Sequence, residues 1–503
     1  MALAVTYSRA QLGIHAPLVT VEVHVAGGLP AFSIVGLPEA AVREARDRVR
    51  GALITGRFEF PQRRITVNLA PADLPKVGSR FDLAIALGLL AASGQLPRAM
   101  LDQYEFFGEL ALSGELRTAA GLVSAVIAAQ QSGRILVIPE ASIAEARCVP
   151  GARLMPAPHL LAVCAHLRGE QPLEILCHED VPATRSEAAL DLADVVGQHH
   201  AKRALEVAAA GGHNLLMIGP PGTGKTMLAS RLPGILPDLN EVEALEVATI
   251  ASLTRRLTED YVWRGRPFRN PHHTASPAAM VGGGNPPRPG EISLSHHGVL
   301  FLDELPEFQR RVLEVLREPL ESGRVVISRA ARQVEFPACF QLVAAMNPCP
   351  CGYLGDTAGQ CRCTPDQVQR YRGRLSGPLL DRIDMHIEVS RPRQVVSLSG
   401  PRAPAESSAQ VRARVIAARE RQFARAGMTN QRMTSKDVMQ YCALNEANDR
   451  LLQRAMDALK LSLRATQRVL KVARTIADLE QAERIEREHL HEALSFRRLD
   501  RQA

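Results

Sequence analysis

Aromatic side chains are scarce in this sequence, 4% of 503 residues with a single tryptophan. Recognition of single-stranded bases by ring stacking uses several exposed aromatics, so there is little material for it here. Long apolar runs are missing as well. No stretch reaches the ~18–20 apolar residues that span a bilayer. The opening MALAVT has no basic segment ahead of an apolar one, so neither a membrane anchor nor a signal peptide is expected. The nine cysteines are an odd number without an export signal, which points to reduced thiols in the cytoplasm. Cys148, Cys164, Cys177, Cys339 and Cys442 are scattered, whereas Cys349, Cys351, Cys361 and Cys363 are bunched.

What is present is ordinary globular material, 46% hydrophobic and 22% charged, enough for two to four domains at roughly 100–200 residues each. The net charge of +7 and pI near 9.0 permit an anionic partner such as nucleic acid without requiring one. Residues 1–170 alternate strand-like stretches (Val19–Val25, Arg64–Leu69) with helical ones (Glu39–Leu53, Asp82–Ala92). The pattern lapses into a polar linker at 171–190. From 191 to 395 short β-rich runs are separated by Gly/Pro-rich loops, and a second linker covers 396–408. The remainder, 409–503, reads as almost wholly helical. The chain is therefore α/β with a helical C-terminal domain.

The phosphate chemistry lies in the middle region. Gly219-Pro220-Pro221-Gly222-Thr223-Gly224-Lys225-Thr226 follows the apolar run Asn214–Ile218 and precedes a helical stretch, Met227–Leu232. Glycines let this backbone wrap phosphates, and its amides and the helix N-terminus supply positive potential. Lys225 is expected to reach the β- and γ-phosphates of ATP and Thr226 to ligate Mg²⁺. A second apolar strand, Gly298–Leu302, ends in Asp303 and Glu304. Asp303 is expected to hold the metal and Glu304 to polarise the attacking water as general base. A third run, Leu342–Met346, ends at Asn347, placed to orient that water. Arg382, in the string Leu379–Asp384, is the candidate for an arginine delivered to a neighbouring subunit, with Arg374 in reserve; a surface arginine paired with Asp381 or Asp384 is the alternative. Arg464 opens a long C-terminal helix, where a cation is locally unfavourable unless an external anion compensates.

Three further features carry chemistry. Cys349, Cys351, Cys361 and Cys363 put four sulfurs on one loop (349–363), which suits a structural Zn²⁺; free thiols or an occasional disulfide are the alternatives. Gly323–Phe336 reads as a β-hairpin with Val325 and Ile327 on one arm and Val334 and Phe336 on the other; Arg324, Arg329 and Arg332 are candidates for phosphate-backbone contact, against a solvated basic turn. His272, His273, His296 and His297 come in pairs that sit badly for one ion, so loop packing or pore contacts are expected of them. The arginines of Gln410–Ala426 (Arg412, Arg414, Arg419, Arg421, Arg425) are spread around a helix that reads as solvated.

Together these residues resemble the AAA+ superfamily, in its magnesium-chelatase-like and MCM-like branch. Arg266–Thr274 (RPFRNPHHT), Val281–Gly284 and Pro289–Leu294 look like the signature of that branch. Asn347–Gly352 (NPCPCG) and Ser376–Asp384 (SGPLLDRID) are similar to the ComM/YifB family, over essentially the whole chain. The resemblance implies a homohexameric, DNA-translocating ring, acting as a branch-migration helicase in recombination during natural transformation. It implies that the hairpin faces the ring pore. It also implies an N-terminal domain like the Lon protease fold, in which Pro75–Asp82 and Gly114–Val123 resemble the segments carrying the protease nucleophile and lysine. Here those positions hold Arg80 and Val123, with Ser79 one place early. Val123 cannot exchange a proton, so a proteolytically inactive scaffold is expected. A chelatase-type remodeller of a protein or metal complex is the rival reading, although the chain has no integrin-like domain or polyacidic linker.

Overall fold

The computed structural model describes residues 2–177, 190–254, 257, 261–329, 332–355, 361–391, 405–459 and 461–497. The expected linkers at 171–190 and 396–408 lie largely outside the described residues, as does the middle of the cysteine loop, 356–360.

The N-terminal region is built on a four-stranded sheet of β1 (Ala2–Arg9), β2 (Leu18–Ala26), β3 (Ala31–Val35) and β4 (Arg64–Ala70), in the order β1-β2-β4-β3. β2 alternates in the way its sequence dictates. Val19, Val21, Val23 and Val25 are buried, and Thr20, Glu22 and His24 are half-buried on the other face. Helix α1 (Asp82–Ala92) covers the apolar face and is buried at every residue. Truncating a residue such as Leu87 to alanine would cost about 2–5 kcal/mol. A second sheet pairs β5 (Tyr104–Phe106), β6 (Ile135–Pro139), β7 (Arg153–Ala157) and the short β8 (Leu176–Cys177). Arg9 joins the two sheets through a buried pair with Glu105 at 2.6 Å.

The central region holds a five-stranded, all-parallel sheet, ordered β10 (Phe268–Arg269), β11 (Val299–Leu302), β14 (Gln341–Met346), β9 (Leu215–Ile218), β15 (Met385–Glu388). The runs LLMI, VLFL and QLVAAM are buried on both faces, as parallel strands require. Leu215, Met217, Phe301, Val343 and Ala345 face one core, shared with the helix His199–Gly211 and the C-terminal helices. Leu216, Ile218, Leu300, Leu302 and Ala344 face another, shared with the hairpin of β12 (Arg324–Arg329) and β13 (Arg332–Pro337). The hairpin buries Val325, Ile327, Val334 and Phe336. Because the strands are parallel, the ends that carry Gly219, Asp303 and Asn347 lie along one edge, where open α/β sheets place their ligands.

The C-terminal region consists of helices Ser408–Ala426, Ser435–Tyr441, Glu446–Leu459, Leu463–Leu479 and Arg487–Ser495. The first of these is not the solvated helix expected from its arginines. Arg412 pairs with Asp238 at 2.6 Å, Arg414 with Glu206 at 2.5 Å and Arg425 with Asp478 at 2.7 Å. Arg419 donates to the carbonyl of Ala209 at the end of His199–Gly211 (2.7 Å), where a cation is favoured by the helix dipole. Among the described residues, no helix is long and apolar enough to cross a membrane.

Candidate functional site

β9 ends at Ile218 and the chain turns at once into the phosphate loop. Gly224 takes φ +87°, a left-handed conformation that only glycine adopts without strain, and this starts the helix Lys225–Ala229, two residues earlier than the sequence pattern indicated. Lys225 donates from Nζ to the carbonyls of Gly219 (2.7 Å) and Pro220 (2.9 Å) and to Asn347 Oδ1 (3.3 Å). Burial lowers its pKa, opposed by the charges of Asp303 and Glu304. Three oxygens thus hold the ammonium where phosphate oxygens would compete for the same hydrogens. Gln198, at the start of His199–Gly211, steadies the loop by donating to the carbonyls of Thr223 (3.3 Å) and Ser390 (2.8 Å).

Thr226 donates its hydroxyl to Asp303 Oδ2 at 2.6 Å. A hydroxyl and a carboxylate in this contact are the oxygen donors that Mg²⁺ prefers, so the residues fit that ion. Asp303 Oδ1 accepts the backbone N–H of Glu304 at 2.9 Å. Glu304 itself sits at φ +52°, unusual for a side chain of its size and typical of residues held in place for function. Asn347 is brought beside this group by β14, and Tyr371, whose pKa burial pushes up to about 12, packs against its backbone.

The arginines stand apart from this cluster. Arg382 pairs with Glu321 at 2.6 Å and donates to the carbonyls of Arg317 (3.1 Å) and Pro378 (2.6 Å), so its partner is neither Asp381 nor Asp384. Arg374 pairs with Glu307 at 2.8 Å and lies against the Tyr371 ring. Arg464 is exposed in the first turn of Leu463–Leu479 and hydrogen-bonds to no described residue. Arg324 forms an exposed pair with Glu335 across the hairpin at 3.4 Å. The side chains of Arg329 and Arg332 lie outside the described residues.

The four cysteine sulfurs converge. Cys349 Sγ is 3.4 Å from Cys351 Sγ and 3.7 Å from Cys361 Sγ, Cys351 Sγ is 3.7 Å from Cys361 Sγ, and all four sulfurs lie within 4.8 Å of one another. A tetrahedron of sulfurs about 2.3 Å from Zn²⁺ has edges of about 3.8 Å, so the set fits that ion, and these separations are far from the ~2.05 Å of a disulfide. The cluster abuts the phosphate loop. A Cβ at Gly352 (φ +85°) would lie 2.8 Å from Pro221, so both backbone conformation and space demand glycine there.

The histidine pairs do different work from one another. His296 Nδ1 accepts the backbone N–H of Cys339 (2.9 Å), which leaves the ring hydrogen on Nε2 to donate to Glu246 (3.0 Å). His297 Nε2 contacts the same carboxylate at 2.7 Å, and the two rings hold Glu246 well below the usual carboxylate range. With its Nε2 lone pair absent, His296 packs a loop rather than ligating a metal. His273, by contrast, places Nδ1 3.1 Å from Glu304 Oε2. The sequence pattern points to loop packing or pore contact for it and hides this contact, because Glu304 follows a different strand.

Of the two segments resembling a protease site, Gly114–Val123 contains no lysine, and Lys76 of Pro75–Asp82 is buried and donates to the carbonyl of Pro71. Val123 is fully buried, and its backbone N–H donates to Ser252 Oγ (3.3 Å) on the central-region helix Glu241–Leu253. Ser79 donates to the Glu109 carboxylate.

Comparison with known proteins agrees with this architecture. The family described as "Magnesium chelatase, subunit ChlI" matches residues 191–396, "Subunit ChlI of Mg-chelatase" residues 21–142, and "Magnesium chelatase, subunit ChlI C-terminal" residues 405–497. The chain is 53% identical over 503 residues to the protein YifB of Escherichia coli (strain K12), covering 100% of this chain and 98% of that one. It is 52% identical over 505 residues to the competence protein ComM of Haemophilus influenzae, with the same coverage. The magnesium-chelatase 38 kDa subunit of Rhodobacter capsulatus is 26% identical over 218 residues, 40% of this chain and 56% of that protein. Such a family implies ATP hydrolysis with Mg²⁺, which the assembled loop and acids suit. With identity above one half along its whole length, the chain belongs to the ComM/YifB family of magnesium-chelatase-like proteins.

Proposed function

We propose that this protein is an ATP-driven ring motor that moves along DNA and drives branch migration during the uptake and recombination of transforming DNA. The observation that carries the reading is the convergence of Lys225, Thr226, Asp303, Glu304 and Asn347 on one sheet edge, in a chain half identical to a competence protein throughout. The amides of Gly219–Thr226 and the Lys225 ammonium bind the β- and γ-phosphates. Thr226 and Asp303 hold Mg²⁺, which when bound neutralises phosphate charge. Glu304 accepts a proton from the attacking water, and Asn347 fixes where that water sits. Arg382 of an adjoining copy supplies positive charge to the γ-phosphate, which requires it to leave Glu321, while Arg464 reads the same phosphate from the C-terminal helices, acting as a lid.

Around this engine, Cys349, Cys351, Cys361 and Cys363 hold a structural Zn²⁺ that braces Pro221 and the strand ending at Asn347. Arg324, Arg329 and Arg332 contact DNA phosphates without reading sequence, so binding weakens steeply with salt. The N-terminal region is an inactive Lon-protease-like layer of a hexamer, a reading supported by Val123 where a lysine is needed. The test is a four-way junction assay with ATP and with a non-hydrolysable analogue. Strand exchange with ATP alone supports the motor. ATP hydrolysis stimulated by a porphyrin or protein client, and not by DNA, favours the chelatase-type remodeller to which the family description points.

A further inference from the structure

Between the N-terminal and central regions lies a cleft of about 640 Å³. From the N-terminal region it is lined by the turn at Gln11–Gly13, by Glu39 with Ala40, and by Pro75 and Val77 to Arg80, and from the central region by Asn285–Pro289 with Val334 of the hairpin. Arg80 lines this cleft and is 6% exposed. Three other enclosed arginines have carboxylates: Arg9 has Glu105, Arg48 has Asp82 and Arg425 has Asp478. Arg80 has none. Its Nη1 donates to Gln11 Oε1 (3.1 Å) and its Nη2 to the carbonyl of Ala120 (2.9 Å), both neutral acceptors. Its Nε–H is buried with no acceptor among the described residues, as is that of Arg425. Arg419, the comparable case, rests on a helix C-terminus, whereas Arg80 has only the face of Phe107, 5.4 Å from its guanidinium carbon.

A buried, unpaired cation is penalised unless something compensates it. Burial alone draws the pKa of Arg80 down to about 10. Of the five N–H groups, two are engaged and the Nε–H is enclosed, so the second hydrogens of Nη1 and Nη2 are the arms of the fork left for two oxygens of a single oxyanion. The volume is that of a small-molecule site.

We propose that this cleft binds a small oxyanion-bearing ligand, through a phosphate or carboxylate group seated on the Arg80 guanidinium. The ligand would bridge the N-terminal region and the hairpin, since the turn at Gly13 lies so near it that a Cβ there would be 3.0 Å from the carbonyl of Glu335 and 3.2 Å from Val334. The site stands independently of the motor reading.

The experiment is calorimetric titration of the full-length protein, with ADP and Mg²⁺ saturating the phosphate loop. One arm uses inorganic phosphate and the other succinate, so the two sources of oxyanion are told apart. In at least one arm the expected result is a single site per chain with Kd on the order of 1 mM or tighter. Arg80→Gln should weaken it at least ten-fold. Should Arg80→Gln fail to fold, Ala40→Trp, which adds bulk at an exposed residue lining the cleft, should abolish binding. No binding in either arm, or binding that survives both Arg80→Gln and Ala40→Trp, overturns the proposal.

Discussion

His273 Nδ1 lies 3.1 Å from Glu304 Oε2, so the acid proposed to activate water is held by an imidazole from the segment RPFRNPHHT. The contact is half-exposed, and removing it should perturb rather than abolish turnover. His273→Ala is expected to lower kcat by about three- to ten-fold with KM for ATP little changed, as for a group that orients the base. Steady-state kinetics decide it; an unchanged kcat removes His273 from the mechanism.

Glu304→Gln keeps the shape of the side chain and loses its basicity. ATP binding and assembly should persist while hydrolysis falls by about 10²–10⁴-fold. Turnover within a few-fold of the parent would mean that another group accepts the proton.

Arg382 is tied to Glu321 within its own chain, yet its proposed role is in the neighbour's site. Arg382→Ala should bind nucleotide normally as a single chain and hydrolyse poorly in the assembled ring. Mixing it with Lys225→Ala subunits should restore some activity, because mixed interfaces then contain one intact pair. No recovery at any ratio speaks against delivery in trans.

The sulfur cluster yields a chemical test. Purified protein should contain about one Zn²⁺ per chain, and Cys351→Ser should release it and lower ATP affinity, because Gly352 packs on Pro221. Protein free of zinc with full ATP affinity would leave the cysteines as unligated thiols.

His213 supplies a pH dependence. It is fully buried, donates to or accepts from Thr475 Oγ1 at 2.7 Å, and burial draws its pKa down to about 4, against a partial opposing pull from Asp384 and a further lowering by Lys471 and Arg419. An unfolded imidazole titrates near ~6.5, so the unfolded chain takes up the proton first as pH falls. The stabilisation is therefore complete above about pH 6.5 and is lost as pH falls towards 4, by on the order of 2–3 kcal/mol. His213→Gln should flatten that part of the melting curve against pH; an identical slope would contradict the assignment.

Much of the site was legible because its strands are short, largely apolar runs followed at once by a glycine or polar residue. LLMI leads into the glycine loop, VLFL into Asp303 and QLVAAM into Asn347, and the parallel sheet aligns those ends. The hairpin was legible from alternation, since Val325 and Ile327 oppose Phe336 and Val334. Partners distant in sequence were not. The arginines of Ser408–Ala426 spread around their helix and read as solvated, because Asp238, Glu206 and Asp478 come to them only through packing. Asn214 escaped notice for the same reason. Its side chain donates to the carbonyl of Arg382 (2.9 Å) and accepts from the backbone of Leu342 (2.8 Å), joining the phosphate-loop strand to its neighbours at the end remote from the nucleotide.

The measurement that bears most directly on the motor is the rate of ATP hydrolysis by the purified full-length chain, with and without four-way junction DNA, alongside Lys225→Ala. The account expects Mg²⁺-dependent turnover that rises with DNA, falls as salt is raised, and vanishes in Lys225→Ala. Nucleotide left intact under all of these conditions, or turnover equal in Lys225→Ala, would contradict it.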